Sequence, residues 1–279
     1  METGRPSKTA LRVAIRRAAH QLADPPPVLD DPIAIRLIGS GHARDLDRAM
    51  EKVARDFRAY MAARSRLVED TLADAVAGGV TQYVVLGAGL DTFAYRNPFP
   101  NLRVFEVDFP ATQAWKCELL ERAGIAVPES LTFVALDFEH KGLAEGLGEA
   151  GFDARRPAYF GWLGVVPYLT AEAFRATLGD VARLPGGTAI TFDFVFPPET
   201  LTPQRRVIFD RLAQRVSEAG EPFRLFFTAD QLERELRALG FRLVEQTDTD
   251  GLNELYFRDR ADGLKLSPVR VGTLATARV

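Results

Sequence analysis

A single cysteine, Cys117, stands in 279 residues. It excludes internal disulfides and every multi-cysteine metal or iron–sulfur site, and it fits a reducing compartment. Histidine is almost as scarce. His20, His42 and His140 lie far apart without metal-ligand spacing, so no metal is expected. Neither sign of charge is in excess: 35 Lys and Arg against 38 Asp and Glu leave a formal −3 and a pI of about 5.8. No basic stripe or polybasic run offers a footprint for nucleic acid or a membrane surface, so neither partner is expected. Long apolar runs are missing too. The longest uncharged stretch, Ala75 to Leu90, has sixteen residues and four glycines, too short and too broken to span a bilayer. The opening METGRPSKTA lacks the apolar core of a signal peptide, and a cytoplasmic location is expected.

What remains is an ordinary globular composition, 47% hydrophobic and 26% charged, long enough to bury a full core. Residues 1–80 read as a helical cap. Lys8 to Leu22 carries apolar residues on one helical face, Pro25 to Pro27 end it, and Asp31-Pro32 starts a second helix. Arg44 to Ala77 reads as one or two more, closed by Gly78-Gly79. Short apolar strands then alternate with helices. Strands are expected at Tyr83 to Leu86, Leu102 to Val107, Leu131 to Leu136, Ala158 to Val166 and Thr188 to Val195. This rhythm predicts an α/β core over residues 81–260, with a mostly parallel buried sheet and helices on both faces. An insertion at 197–222 lies where a lid over a substrate belongs, and part of the cluster Phe192, Phe194, Phe196, Phe223, Phe226 and Phe227 is expected to form an apolar pocket there. Thr228 and Gln231 have capping-box spacing for a helix from Ala229. Phe241 to Thr247 and Leu252 to Arg258 read as two strands joined by a hairpin at Asp250-Gly251, with residues 261–279 as a tail.

The sharpest chemical signal is Leu86-Gly87-Ala88-Gly89-Leu90-Asp91, directly after the first strand. A glycine turn there lets a ligand approach the backbone, beyond the carboxyl ends of parallel strands. About twenty residues on, Glu106 and Asp108 share one strand face, where such folds place a ribose-binding acid. A dinucleotide site would want a third glycine at position 92, where this chain has Thr92. S-adenosylmethionine has no pyrophosphate and does not need that glycine, so the methyl donor is favoured over NAD.

Val84 to Arg96, VVLGAGLDTFAYR, resembles the first motif of the leucine carboxyl methyltransferase family, and Val104 to Pro110, VFEVDFP, resembles its second. Ser7 to Ala10, Asp31-Pro32, Ala63 to Arg66, Leu136 to Phe138 and Gly164 to Leu169 resemble further signatures in order, over about Ser7 to Arg258. The resemblance implies a Rossmann-like class I methyltransferase fold with seven strands, using S-adenosyl-L-methionine. It implies that Gly87, Ala88 and Gly89 line the cofactor loop. Asp108 would hold the ribose, with Glu106 as second candidate. Asp137 and Phe138 would bracket the adenine. Arg64 would pair with the methionine carboxylate, and Lys8 would close over the same end. Where the family pattern often has Glu before the glycine of its fourth-strand motif, this chain has Leu163, which puts the acceptor type in question.

Tyr168, at the end of the fourth strand, is the catalytic candidate: its hydroxyl could orient the acceptor. No base stands out near the expected methyl position, which favours a carboxylate acceptor. The expected activity is O-methylation of a small molecule, giving a methyl ester. The alternatives are a protein C-terminal carboxyl methyltransferase, a dinucleotide oxidoreductase and a non-catalytic cofactor-binding module. Oligomeric state is left open by the sequence.

Overall fold

The computed structural model describes residues 7–137 and 142–279. Four helices come first. Ser7 opens α1 (Lys8–Ala23), its side chain accepting from the Ala10 amide. Asp31 does the same for α2 (Pro32–Ile38), with Pro32 in the first turn. The short α3 (Ala43–Met50) and the long α4 (Arg55–Ala77) follow. His20, fully buried in α1, accepts from the Val28 amide at Nε2, so its Nδ1 carries the proton toward Asp24. Arg58 of α4 grips that same Asp24 with two donors, at 2.7 and 2.9 Å. The first histidine therefore locks two cap helices together.

Strands and helices then alternate: β1 (Gln82–Leu86), β2 (Arg103–Asp108), α5 (Pro110–Arg122), β3 (Leu131–Ala135), α6 (Leu143–Glu149), β4 (Tyr159–Trp162), α7 (Ala171–Ala182) and β5 (Ala189–Val195). After β5 come α8 (Pro203–Glu218), α9 (Ala229–Ala238), β6 (Leu243–Thr247), α10 (Thr249–Tyr256) and β7 (Gly272–Arg278). The seven strands form one sheet in the order β3-β2-β1-β4-β5-β7-β6. Every pairing is parallel except those of β7, which runs antiparallel to both β5 and β6. The strand period of two divides the core. Val84 and Leu86 of β1 join Phe160, Phe192 and the residues of α6, α7 and α9 on one face. Tyr83 and Val85 join Val68 and Leu72 of α4 on the other. Both faces are covered, so β1 and β5 are buried along their whole length and are mostly apolar. The apolar side of α1 and α2 closes on Leu90 and on Leu119 and Leu120 of α5, fastening the cap over the loop that follows β1. No described helix is long and apolar enough to cross a membrane.

The end of the chain corrects the sequence reading. Asp248 is the N-cap of α10, its carboxylate accepting from the Gly251 amide, so Leu252 to Tyr256 is helix and there is no hairpin at Asp250-Gly251. Asp serves turns and N-caps by the same hydrogen bond, and Leu252 and Tyr256 have the spacing of one helical face. The antiparallel strand comes instead from residues 261–279, read as a tail. β7 runs between β5 and β6 and is built of small side chains, Thr273, Ala275, Thr276 and Ala277, that fit a crowded sheet interior. Gly272 opens it where only hydrogen fits: a Cβ there would lie 2.1 Å from the Phe194 carbonyl oxygen. Gly272→Ala is therefore expected to push β7 off β5 and destabilise the fold by about 1–3 kcal/mol, read as a lower urea midpoint.

Candidate active site

A cavity of about 1170 Å³ lies at the carboxyl ends of β1, β4 and β5. The chain runs outward from β1 to β3 and crosses back to β4, so β1 and β4 flank the switch point where open parallel sheets bind ligands. Its walls come from α1 and α4, the loop after β1, the end of β2, residues 161–169, and α8 with the segment after it.

The loop after β1 approaches its neighbours too closely for side chains. Gly87 has φ +63°, and a Cβ on it would fall 2.3 Å from Val165 Cγ2. Asp108, at the end of β2, fixes this loop. Its Oδ2 accepts from the Gly89 amide at 2.5 Å and its Oδ1 from the Phe109 amide at 2.6 Å. Burial raises the Asp108 pKa, against those two donated bonds. Each oxygen keeps a lone pair for a ligand hydroxyl.

Across the cavity, Arg64 of α4 is 6% exposed and donates from Nη1 to Asp193 Oδ2 at 2.6 Å. The other Asp193 oxygen accepts from the Gly164 amide at 2.6 Å. Arg64 Nε is buried with no partner. Tyr168 follows β4 in a single 3-10 turn, its ring 5.4 Å from that of Phe223. Burial pushes the Tyr168 hydroxyl pKa well up, and the Glu221 and Asp193 charges add to it. At the cavity wall, Thr9 of α1 donates to Glu221, joining α1 to the segment just beyond α8.

Residues 10–182 match the family model described as leucine carboxyl methyltransferase. YktD of Bacillus subtilis, which bears the name of a candidate S-adenosyl-L-methionine-dependent methyltransferase, is 31% identical over 293 aligned residues, covering 95% of each chain. The chain belongs to the leucine carboxyl methyltransferase family. A Mycobacterium avium protein named for the same candidate activity is 32% identical over 220 residues, covering 74% of this chain and 72% of its own. The crystal structure of a candidate methyltransferase from Thermobifida fusca shares the fold, with a TM-score of 0.59 at 19% identity over 99% of this chain and 96% of its own. This family member is an S-adenosyl-L-methionine-dependent methyltransferase.

The walls of this leucine carboxyl methyltransferase fold suit that cofactor. They offer an unpartnered buried guanidinium donor at Arg64, a backbone stretch closed to side chains at Gly87, and carboxylates at Asp108 and Asp137. Of the residues read from the sequence, Arg64, Gly87, Ala88, Gly89, Asp108, Asp137 and Tyr168 all line the cavity. Two do not. The Lys8 side chain is exposed and off the cavity; Thr9, Ala10, Val13 and Arg16 form the stripe of α1 that faces it. Glu106 is 1% exposed and turned into an ion pair, its Oε2 2.5 Å from Lys116 Nζ of α5. Phe138 and His140 fall outside the described residues. Arg96, which ends the first motif, is partly buried and grips Glu69 of α4.

Thr92, where a dinucleotide site would have glycine, is fully buried and donates to both oxygens of Asp31, while Arg17 reaches Leu90 and Asp91. That position ties the cap to the loop after β1. Of the aromatic cluster, Phe192, Phe194 and Phe227 belong to the core, and Phe223 backs Tyr168. Asp193 was not anticipated. Its signal was a lone acid inside the buried apolar run Ile190 to Val195. It stands where β4 and β5 end, close to Leu163, and brings a carboxylate to a wall on which the family pattern often has Glu.

Proposed function

We propose that this enzyme methylates a carboxylate of a small molecule, giving a methyl ester. The observation that carries the reading is the charge of the cavity wall. Among the described residues it holds nine arginines against seven acids, and neither lysine nor histidine. A carboxylate is already anionic at neutral pH, needs no base, and is stabilised by guanidinium neighbours. A hydroxyl acceptor would need a base. The acids beside the Tyr168 hydroxyl are committed, Asp193 to Arg64 and Glu221 to Thr9.

S-adenosyl-L-methionine, when bound, supplies a methyl group activated by a sulfonium. Arg64 would hold its carboxylate end, Asp108 its ribose hydroxyls and Asp137 its adenine amino group, with the Gly87–Gly89 backbone alongside. Asp193 orients Arg64. Tyr168, kept protonated, donates to the acceptor and aligns it, while α1 and α8 exclude water. The Thr9–Glu221 link across the top supports an acceptor small enough to be enclosed rather than a protein chain.

The test is the chemistry of the product. With a methyl-labelled donor and a panel of carboxylic acids, phenols and alcohols, esters release labelled methanol in mild base and ethers do not. Base-stable label alone would overturn the carboxylate reading. Tyr168→Phe is expected to lower the rate less than about tenfold, since a general base would contribute about 10²–10⁴-fold. Its rate from about pH 6.5 to 9 should stay as flat as the parent's, because no titrating base is removed.

A further inference from the structure

The proposed transfer leaves one charged region of the cavity unused. On the side formed by α1, α3 and α8 lie Arg12, Arg16, Arg48, Arg211 and Arg215. Of the four other wall arginines, three have acids: Arg17 pairs with Asp91, Arg64 with Asp193 and Arg270 with Asp56. Among the described residues, none of the five forms an ion pair. Arg16 is the most deeply set. Its Nη1 donates to the Arg12 carbonyl at 2.9 Å, its guanidinium lies 4.7 Å over the Phe57 ring, and its Nε is buried with no partner. Burial, and then the charges of Arg12 and Arg215, pull its pKa down to about 10, so it stays cationic at neutral pH. Like charges gathered on a cavity wall without a counter-charge repel one another, and an anion seated among them reverses that cost. Beside them the wall is apolar, with Ile208 and Leu212 on the same face of α8.

We infer that this cluster is an anion subsite, and that the methyl acceptor carries a second anionic group, a carboxylate or a phosphate, joined by an apolar spacer to the carboxylate that is methylated. The inference rests on the proposed carboxylate methylation and names the class of acid. Arg16 and Arg215 would grip the second group, which thereby sets which carboxylate faces the donor.

Binding tests it without turnover, so the result stands apart from the base-lability test of the chemistry. Calorimetry on the protein loaded with S-adenosylhomocysteine compares straight-chain dicarboxylates from succinate to sebacate, phosphonocarboxylates of the same lengths, and the matching monocarboxylates. The expected result is that a dianion binds about tenfold or more tightly than its monoanion. The better of the two dianion series identifies the second group. Arg215→Gln, at an exposed position that leaves packing intact, and Arg16→Met should each abolish the preference while S-adenosylhomocysteine affinity stays at the parent value. The inference is overturned if no dianion is preferred or if either variant keeps the preference. It is also overturned if a glutamate-rich peptide outbinds every small dianion, which would point to a protein acceptor.

Discussion

Arg64→Met is expected to lower S-adenosylhomocysteine affinity and kcat/KM by about two to three orders of magnitude, the loss found when one partner of a buried hydrogen-bonded charge pair is cut away. Two consequences add up. The proposed contact of the cofactor carboxylate with a guanidinium is lost, and Asp193 is left 9% exposed with a single remaining donor, the Gly164 amide. The second consequence is structural and must be separated from the first. Asp193→Asn added to Arg64→Met removes the stranded charge, so the double variant should recover much of the lost stability but none of the lost affinity. Arg64→Lys keeps the charge without the two-pronged fork and should fall between parent and Met. Calorimetry with S-adenosylhomocysteine reads affinity, and urea unfolding reads stability. If Arg64→Met binds the cofactor product as tightly as the parent, Arg64 is a fold residue and the proposed carboxylate contact is wrong.

The elements that sequence reading placed correctly are those whose pattern is local. β1 and its glycine loop are adjacent in the chain, and the Thr228–Gln231 capping box closes within one turn. The residues it misplaced depend on partners far away. Glu106 and Asp108 share a strand face, and only the Lys116 side chain of α5 decides that the first is sequestered and the second shapes the loop. Lys8 and Thr9 are neighbours, and only the packing of α1 against α2, α3 and α4 turns Thr9 toward the cavity. β7 is built mostly of Gly, Ala and Thr and packs in the sheet interior, where the Thr276 hydroxyl meets that of Thr191 of β5 at 2.8 Å. A strand chosen for thinness has a weak periodic signal. The arginine cluster was invisible for the same reason: Arg12, Arg48 and Arg215 come from three helices whose meeting is a property of the tertiary fold alone.

Lys116→Met is expected to destabilise the protein by about 3–5 kcal/mol near pH 8.5, and far less near pH 5. Lys116 and Glu106 are each 1% exposed, so the pair is cut off from solvent. Glu106 Oε1 has no partner at all. Burial raises the Glu106 pKa from 4.5 to about 7, with Lys116 pulling against it. The folded state thus holds a proton that the unfolded state has released, and stability falls as pH rises from about 4.5 to about 7 before levelling. Removing Lys116 removes the paired cation that favours ionised Glu106. Its pKa climbs further, and the loss of stability then continues to higher pH. Near pH 5 the carboxyl is protonated in parent and variant alike, and Met fills the slot of the lysine stem without a buried charge. Glu106→Gln with Lys116→Met should restore much of the stability near pH 8.5, because no charge is then left inside. Urea unfolding of the parent and both variants at the two pH values decides the matter. Equal losses at high and low pH would mean that the site is sensitive to shape rather than to charge. The pair also bears on cofactor binding, since Glu106 lies two residues before Asp108 on β2. A strand end loosened by an unpaired Glu106 would loosen the carboxylate that holds the Gly89 amide, so the same substitution should weaken S-adenosylhomocysteine binding more at high pH than at low.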